Sequence, residues 1–188
     1  MALQKEYGAR PQHPHGAFKY LQDPGFYIAQ ADRYADLLGL CASRPLAVLD
    51  IGCGPGYFGA VCKHFGHSVL CLDYQPLKIY DELVKLFSLT RVSYEVRAFK
   101  PLPEIGKFSV ITALHVCFNR HRQESPWGAP EWRYFVDDCR RISLPGAKML
   151  CVLNKEKNGF LTPELEELFL QNLNGEQFCP GGILLEFS

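Results

Sequence analysis

The chain has 188 residues, enough for one domain whose core needs no staples. Hydrophobic residues make up 47% and charged residues 21%; 20 Lys+Arg stand against 20 Asp+Glu, so no charge excess advertises nucleic acid or an anionic membrane surface. No apolar run reaches the ~20 residues of a membrane span and the N-terminus lacks an apolar signal core, so a cytoplasmic protein without a membrane partner is expected.

Residues 1–16 are polar and broken by Pro11, Pro14 and Gly16, which predicts an irregular lead-in. Phe18–Leu21 reads as a short helical turn, and Asp23-Pro24-Gly25 separates it from a helix over 26–40 with Tyr27, Ala31, Tyr34, Leu37 and Leu38 at helical spacing. Leu46–Ile51 is a first strand, Gly56–Phe65 a helix, Ser68–Asp73 a second strand and Pro76–Leu89 a second long helix. Val92–Val96 is a third strand and Phe108–Leu114 a fourth, apolar nearly throughout as buried parallel strands are. The longest irregular stretch, 115–130, precedes a helix over 131–142 and a fifth strand over 148–153. Thr162-Pro163-Glu164 is a helix start, that helix ends near Asn174-Gly175, and Gly182–Phe187 forms a last strand.

Strands alternating with helices predict an α/β fold, a mostly parallel central sheet with helices on both faces. With no repeat and no linker, 1–188 is one domain: a helical cap over 1–45, a ligand-binding core over 46–154, and a C-terminal helix and strand over 155–188. The eight cysteines are scattered with no Cys-x-x-Cys pair, and several sit in apolar runs, where a thiol is a small buried hydrophobe. No metal site is expected from that spacing, nor from His13 and His15 alone.

The chemistry concentrates where the first strand meets its helix, Val48-Leu49-Asp50-Ile51-Gly52-Cys53-Gly54-Pro55-Gly56-Tyr57-Phe58-Gly59. Gly54-x-Gly56-x-x-Gly59 satisfies the dinucleotide fingerprint, with Asp73 at the distance of a ribose carboxylate. Asp50-x-Gly52-x-Gly54-x-Gly56 equally resembles motif I of the class I S-adenosylmethionine-dependent methyltransferases. Charge separates the two readings. A dinucleotide brings a pyrophosphate to this turn and is repelled by Asp50, whereas a sulfonium amino acid is attracted by it. The methyltransferase resemblance is therefore preferred over the NAD-dependent oxidoreductase.

The resemblance covers roughly residues 46–154 and implies a Rossmann-like fold. Asp50, Gly52, Cys53, Gly54 and Gly56 would surround S-adenosylmethionine; Asp73 would accept both ribose hydroxyls; Tyr74 would pack on the adenine. Ala98 and Phe99 stand where the family often has an acidic or polar residue beside the adenine, a departure, and backbone contacts from these two would take its place at the cofactor. Leu114 and His115 end the fourth strand at the crevice, where the family presents residues that contact the cofactor, and Ser143-Leu144-Pro145-Gly146-Ala147 resembles the family's turn before the fifth strand. The resemblance implies in-line methyl transfer to a small-molecule acceptor, with S-adenosylhomocysteine as product. His115 is the candidate general base because it titrates near neutral pH. Tyr20, in a lid, and His121, Glu124 and Trp127, in the loop, are the candidate acceptor contacts.

A seven-stranded sheet needs one strand more than the chain offers after residue 153, so either the sheet is one strand short or the sequence is a piece of a longer chain. A missing strand would expose an edge suited to a homodimer. A catalytically silent S-adenosylmethionine-binding domain, acting as partner or regulator, is the second reading.

Overall fold

A computed structural model of the protein describes residues 18–74, 77–118, 127–155 and 159–188. The elements run α1 (Lys19–Gln22), α2 (Pro24–Leu37), β1 (Ala47–Ile51), α3 (Tyr57–His64), β2 (Ser68–Asp73), α4 (Lys78–Leu86), β3 (Thr90–Ser93) and β4 (Phe108–Val116). They continue with α5 (Ala129–Arg141), β5 (Ser143–Leu153), α6 (Pro163–Glu166) and its π-helical extension Glu167–Asn172, then β6 (Glu176–Cys179) and β7 (Gly182–Glu186). The described residues form one seven-stranded sheet in the order β3-β2-β1-β4-β5-β7-β6. β3, β2, β1, β4 and β5 pair in parallel, while β7 lies antiparallel between β5 and β6.

The sheet is not a strand short. Glu176–Cys179, expected as part of the connection after the last helix, is an edge strand that turns at Pro180-Gly181 into β7. Four residues with only Phe178 and Cys179 partly covered carry little alternation, so pairing with β7 and not periodicity makes them a strand. With that strand in place, no gap in the sheet calls for a homodimer.

Other boundaries differ from expectation for local reasons. α2 starts at Pro24, because the Asp23 carboxylate accepts the Phe26 N–H at 3.0 Å and Pro24 suits the first helical turn. β3 is Thr90–Ser93 and not 92–96, since its register is set by Leu70, Cys71, Leu72 and Asp73 of β2. β4 runs two residues beyond Leu114, through a bulge that includes His115. Thr162 caps α6 as expected, accepting the Leu165 N–H at 3.4 Å.

Alternation along β1 divides the core in two. Leu49 and Ile51 join Trp132, Phe135 and Val136 of α5 and Phe169 of the π-helical extension on one face. Val48 faces Ala31, Ala35, Leu38, Tyr57, Phe58 and Val61 of the α2–α3 layer on the other. A third cluster joins Leu21 of α1 to Ile79, Tyr80 and Leu83 of α4. The end of the cap is tied to the sheet by His67: its Nδ1 accepts the Leu46 N–H at 3.1 Å, and its Nε2–H donates to the Leu40 carbonyl at 2.9 Å. This imidazole is 4% exposed, and with both nitrogens used it satisfies two backbone groups that burial would otherwise strand.

Candidate functional site

The carboxyl ends of β1, β2 and β4 converge on the glycine turn, the crevice where open α/β sheets bind ligands. Two glycines there admit no side chain. Gly52 has φ +69°, and a Cβ on it would lie 2.8 Å from Val116 Cγ1; Gly56, at φ +84°, caps α3 and its Cβ would lie 2.7 Å from Leu89 Cδ1. The turn is closed by Gly52 N–H donating to the Leu72 carbonyl at 2.7 Å and Gly56 N–H to the Cys53 carbonyl at 2.9 Å. A third bond crosses between strands: Gly54 N–H donates to Asp73 Oδ2 at 2.6 Å.

Asp50 follows the alternation of β1 to the α2–α3 side of the sheet, behind the turn, and is 2% exposed. Its register partner on β4 is Thr112, whose hydroxyl donates to Asp50 Oδ1 at 2.8 Å. Burial pushes the Asp50 carboxyl up to about 7; the Thr112 hydrogen bond opposes that and the Asp73 charge adds to it. A buried carboxyl in that state is relieved by a nearby cation and made worse by an anion.

Cys53, between the glycines, is nearly buried; hydrogen bonding with the Cys71 thiol and burial push its thiol far up, so it is an uncharged packing group. Beyond β2, Tyr74 is 57% exposed beside the crevice. Phe99 is also largely exposed, adopts φ +55° and meets Tyr134 of α5 edge-on at 5.7 Å, with Ala98 half-buried before it. Two aromatic faces thus stand open on the β2–β3 side.

The end of β4 carries half-buried Leu114 and then His115, which has φ +55° at the point where the β4–β5 register shifts. Asn154, just after β5, holds the bulge by donating from Nδ2 to the His115 carbonyl at 3.0 Å and the Val116 carbonyl at 3.1 Å. His115 is exposed, and its Nε2 lies 3.1 Å from the Tyr34 hydroxyl of α2. The partial burial of the imidazole and then the Lys19 ammonium hold the His115 pKa below the usual histidine value, and burial pushes Tyr34 up to about 12.

The cap closes over the turn through aromatic contacts. The Tyr57 hydroxyl donates to the Tyr20 carbonyl at 2.6 Å, Tyr27 stacks on Tyr57 at 5.6 Å, and Tyr20 meets Tyr80 edge-on at 5.7 Å. Tyr20 is thereby half-buried between the cap and α4. Trp127 stacks on Phe118 at 4.4 Å and touches Trp132 and Phe135, at the margin of the α5-side core. His121 and Glu124 lie outside the described residues. Among those described, no three metal-ligating side chains converge, and no helix is long and apolar enough to cross a membrane.

The structure brings Asp50, Gly52, Cys53, Gly54, Gly56 and Asp73 together around the turn, with Leu114 and His115 at the neighbouring strand end. Sequence reasoning missed Thr112, Tyr34 and Asn154. Thr112 had a signal, a hydroxyl inside an apolar strand. Tyr34 was legible only as one member of an apolar helical stripe.

No family model and no curated protein matches the sequence. Solved structures do match the fold. An amino pentose methyltransferase of calicheamicin biosynthesis from Micromonospora echinaspora, solved with S-adenosylmethionine bound, superimposes with a TM-score of 0.53 at 17% identity over 84% of this chain and 58% of its own. An O-methyltransferase family 2 protein from Planctomyces limnophilus, in complex with apigenin, gives 0.57 at 18% identity over 92% and 62%. A 16S rRNA guanine methyltransferase from T. thermophilus gives 0.55 at 15% identity over 96% and 45%. This chain therefore spans about half to three-fifths of the length of these proteins, and it shares with them the class I methyltransferase fold.

Proposed function

We propose that this chain binds S-adenosylmethionine at the carboxyl ends of β1, β2 and β4 and directs its methyl group to a small-molecule acceptor, releasing S-adenosylhomocysteine. The observation that carries the reading is Asp50: a buried carboxyl, raised to about 7, directly behind a glycine turn. A sulfonium and an ammonium ion in the crevice stabilise its charged form, while a pyrophosphate in the same turn opposes it. The fold's neighbours give the same direction, since two of them were solved with that cofactor bound.

The residues present fit the group. Asp73, oriented by Gly54 N–H, presents an acceptor to a vicinal diol, and Tyr74 and Phe99 offer faces for a purine, with Ala98 between them in chain order. Gly52, Gly54 and Gly56 let the ligand approach the backbone, Cys53 fills the turn, and Leu114 walls the methyl side. When bound, S-adenosylmethionine supplies an already activated methyl group, so the protein's task is alignment and removal of the acceptor's proton. His115, at the strand end and uncharged at neutral pH, is the group for that proton. Tyr20, Trp127, His121 and Glu124 remain candidates for contacts to the acceptor, and the cytoplasm for its location.

Calorimetric titration tests the reading. Heat with S-adenosylmethionine and S-adenosylhomocysteine but not with NAD is expected. Heat with NAD alone overturns it in favour of a dinucleotide enzyme.

A further inference from the structure

The bulge at the end of β4 does something regular strand pairing does not require. It turns His115 into a left-handed conformation that non-glycine residues rarely adopt, and Asn154 secures that conformation by donating to both carbonyls of the bulge. The imidazole so aimed meets the hydroxyl of Tyr34, 81 residues earlier, at 3.1 Å. Tyr34 belongs to the α2–α3 layer, on the face of the sheet that carries Asp50.

We infer that Tyr34 Oη and His115 Nε2 form a two-member proton relay in which Tyr34 meets the acceptor and His115 stores its proton, with Asn154 as the positioning residue. This rests on the methyl-transfer reading and deepens it. It assigns the acceptor to hydroxyl or ammonium compounds, which must lose a proton, and not to thioethers or ring nitrogens with a free lone pair.

The groups facing the pair fix its resting state. Lys19 of α1 bears on His115 and Cys179 of β6 on Tyr34, and burial acts on both rings. At neutral pH the phenol keeps its proton and the imidazole is uncharged. In the relay, Tyr34 O–H donates to Nε2 and the ring proton sits on Nδ1. In the step, the acceptor's X–H proton passes to Tyr34 Oη while the Tyr34 hydroxyl proton passes to Nε2. The pair left on X forms the bond to the methyl carbon, the carbon–sulfur pair stays on sulfur, and His115 ends as imidazolium.

A pair that only pins α2 to the sheet would equally well let His115 donate from Nε2–H to Tyr34. Nitrogen NMR of labelled histidine in the full chain separates the two. The expected wild-type signature is the Nδ1–H tautomer, with a midpoint below that of an exposed histidine. In Tyr34→Phe, which keeps the ring packing, His115 should leave that tautomer and its midpoint should move. An Nε2–H tautomer in the wild type, or no change in Tyr34→Phe, overturns the relay. With methyl-labelled S-adenosylmethionine and a panel of phenols and primary ammonium compounds, transfer should fall roughly 10²-fold in Tyr34→Phe; transfer confined to thioethers overturns the acceptor class. Absence of S-adenosylhomocysteine binding to the wild type overturns the methyl-transfer reading and the acceptor class with it, whereas the tautomer is read without any ligand.

Discussion

Replacing Asp50 with asparagine should strengthen the fold while weakening the site. The native carboxyl titrates near 7 against 3.8 for the unconstrained group, so the folded chain holds this proton more tightly than the unfolded one. Stability is then lost as pH rises between those two values and is flat above them. At about 1.4 kcal/mol per pH unit the whole span is about 4 kcal/mol, nearly all of it lost at pH 8 and about 2 kcal/mol of it already lost at pH 5. The asparagine side chain of Asp50→Asn carries no charge and its oxygen still accepts the Thr112 hydroxyl, though its buried NH₂ needs a partner that the carboxylate did not, at about 1–3 kcal/mol. The net expectation at pH 8 is a gain of about 1–3 kcal/mol, or roughly 2–10 °C in Tm for a chain of this size. Urea unfolding at pH 5 and pH 8 isolates the charge effect, because the variant-minus-wild-type difference should grow by about 2–3 kcal/mol between them, whatever the amide costs. Binding of S-adenosylmethionine should drop at least tenfold in the same variant. A difference that is the same at both pH values refutes the reasoning that Asp50 is a buried carboxyl held at an electrostatic cost.

Further outcomes follow from the same contacts. Wild-type affinity for S-adenosylmethionine should rise with pH up to about 7, by up to roughly tenfold per unit, and level off above, because the cation favours the ionised form of Asp50; titrations at three pH values check it. Thr112→Val removes the hydroxyl that donates to that carboxylate, so the plateau should move to higher pH, and an unmoved plateau would show the hydroxyl to be idle. Gly56→Ala forces a Cβ to 2.7 Å from Leu89 Cδ1 at φ +84° and should lower stability by about 1–3 kcal/mol in a urea titration. Asp138→Ala frees the Leu102 N–H, which its carboxylate accepts at 2.5 Å, and removes one partner, at 2.7 Å, of the Arg141 guanidinium, which keeps Glu104 and the Leu102 carbonyl; a loss of about 2–3 kcal/mol and faster amide exchange at Leu102 are expected.

The layered sheet and the glycine turn were legible because both are written locally. β1 and β4 are apolar runs, and the turn needs glycine where φ is positive. What escaped the sequence is written across distance. Glu176–Cys179 is a strand only because β7 supplies its partner. The left-handed twist at His115 comes from a register shift against β5 and from Asn154, 39 residues away. Tyr34 has the spacing of a core residue and the reach of a functional one, and nothing in α2 alone distinguishes these. The negative charge of Asp50 was legible, but its burial behind the turn was not, since an acid at a strand end looks solvent-facing until Thr112 is placed beside it.

The bond from Gly54 N–H to Asp73 Oδ2 has a kinetic consequence. It lets β2 hold the loop in one shape before any ligand arrives, so little conformational entropy is left to lose on docking and encounter should be limited by diffusion. If Asp73 also accepts the ribose hydroxyls as proposed, it has two roles at once. An alanine there loosens the loop as well as removing the acceptor, and the resulting loss of affinity cannot be credited to the ribose alone. Asparagine keeps an oxygen for Gly54 and weakens only the charged acceptance, so the gap between the two substitutions measures how much of the binding is shape prepared in advance.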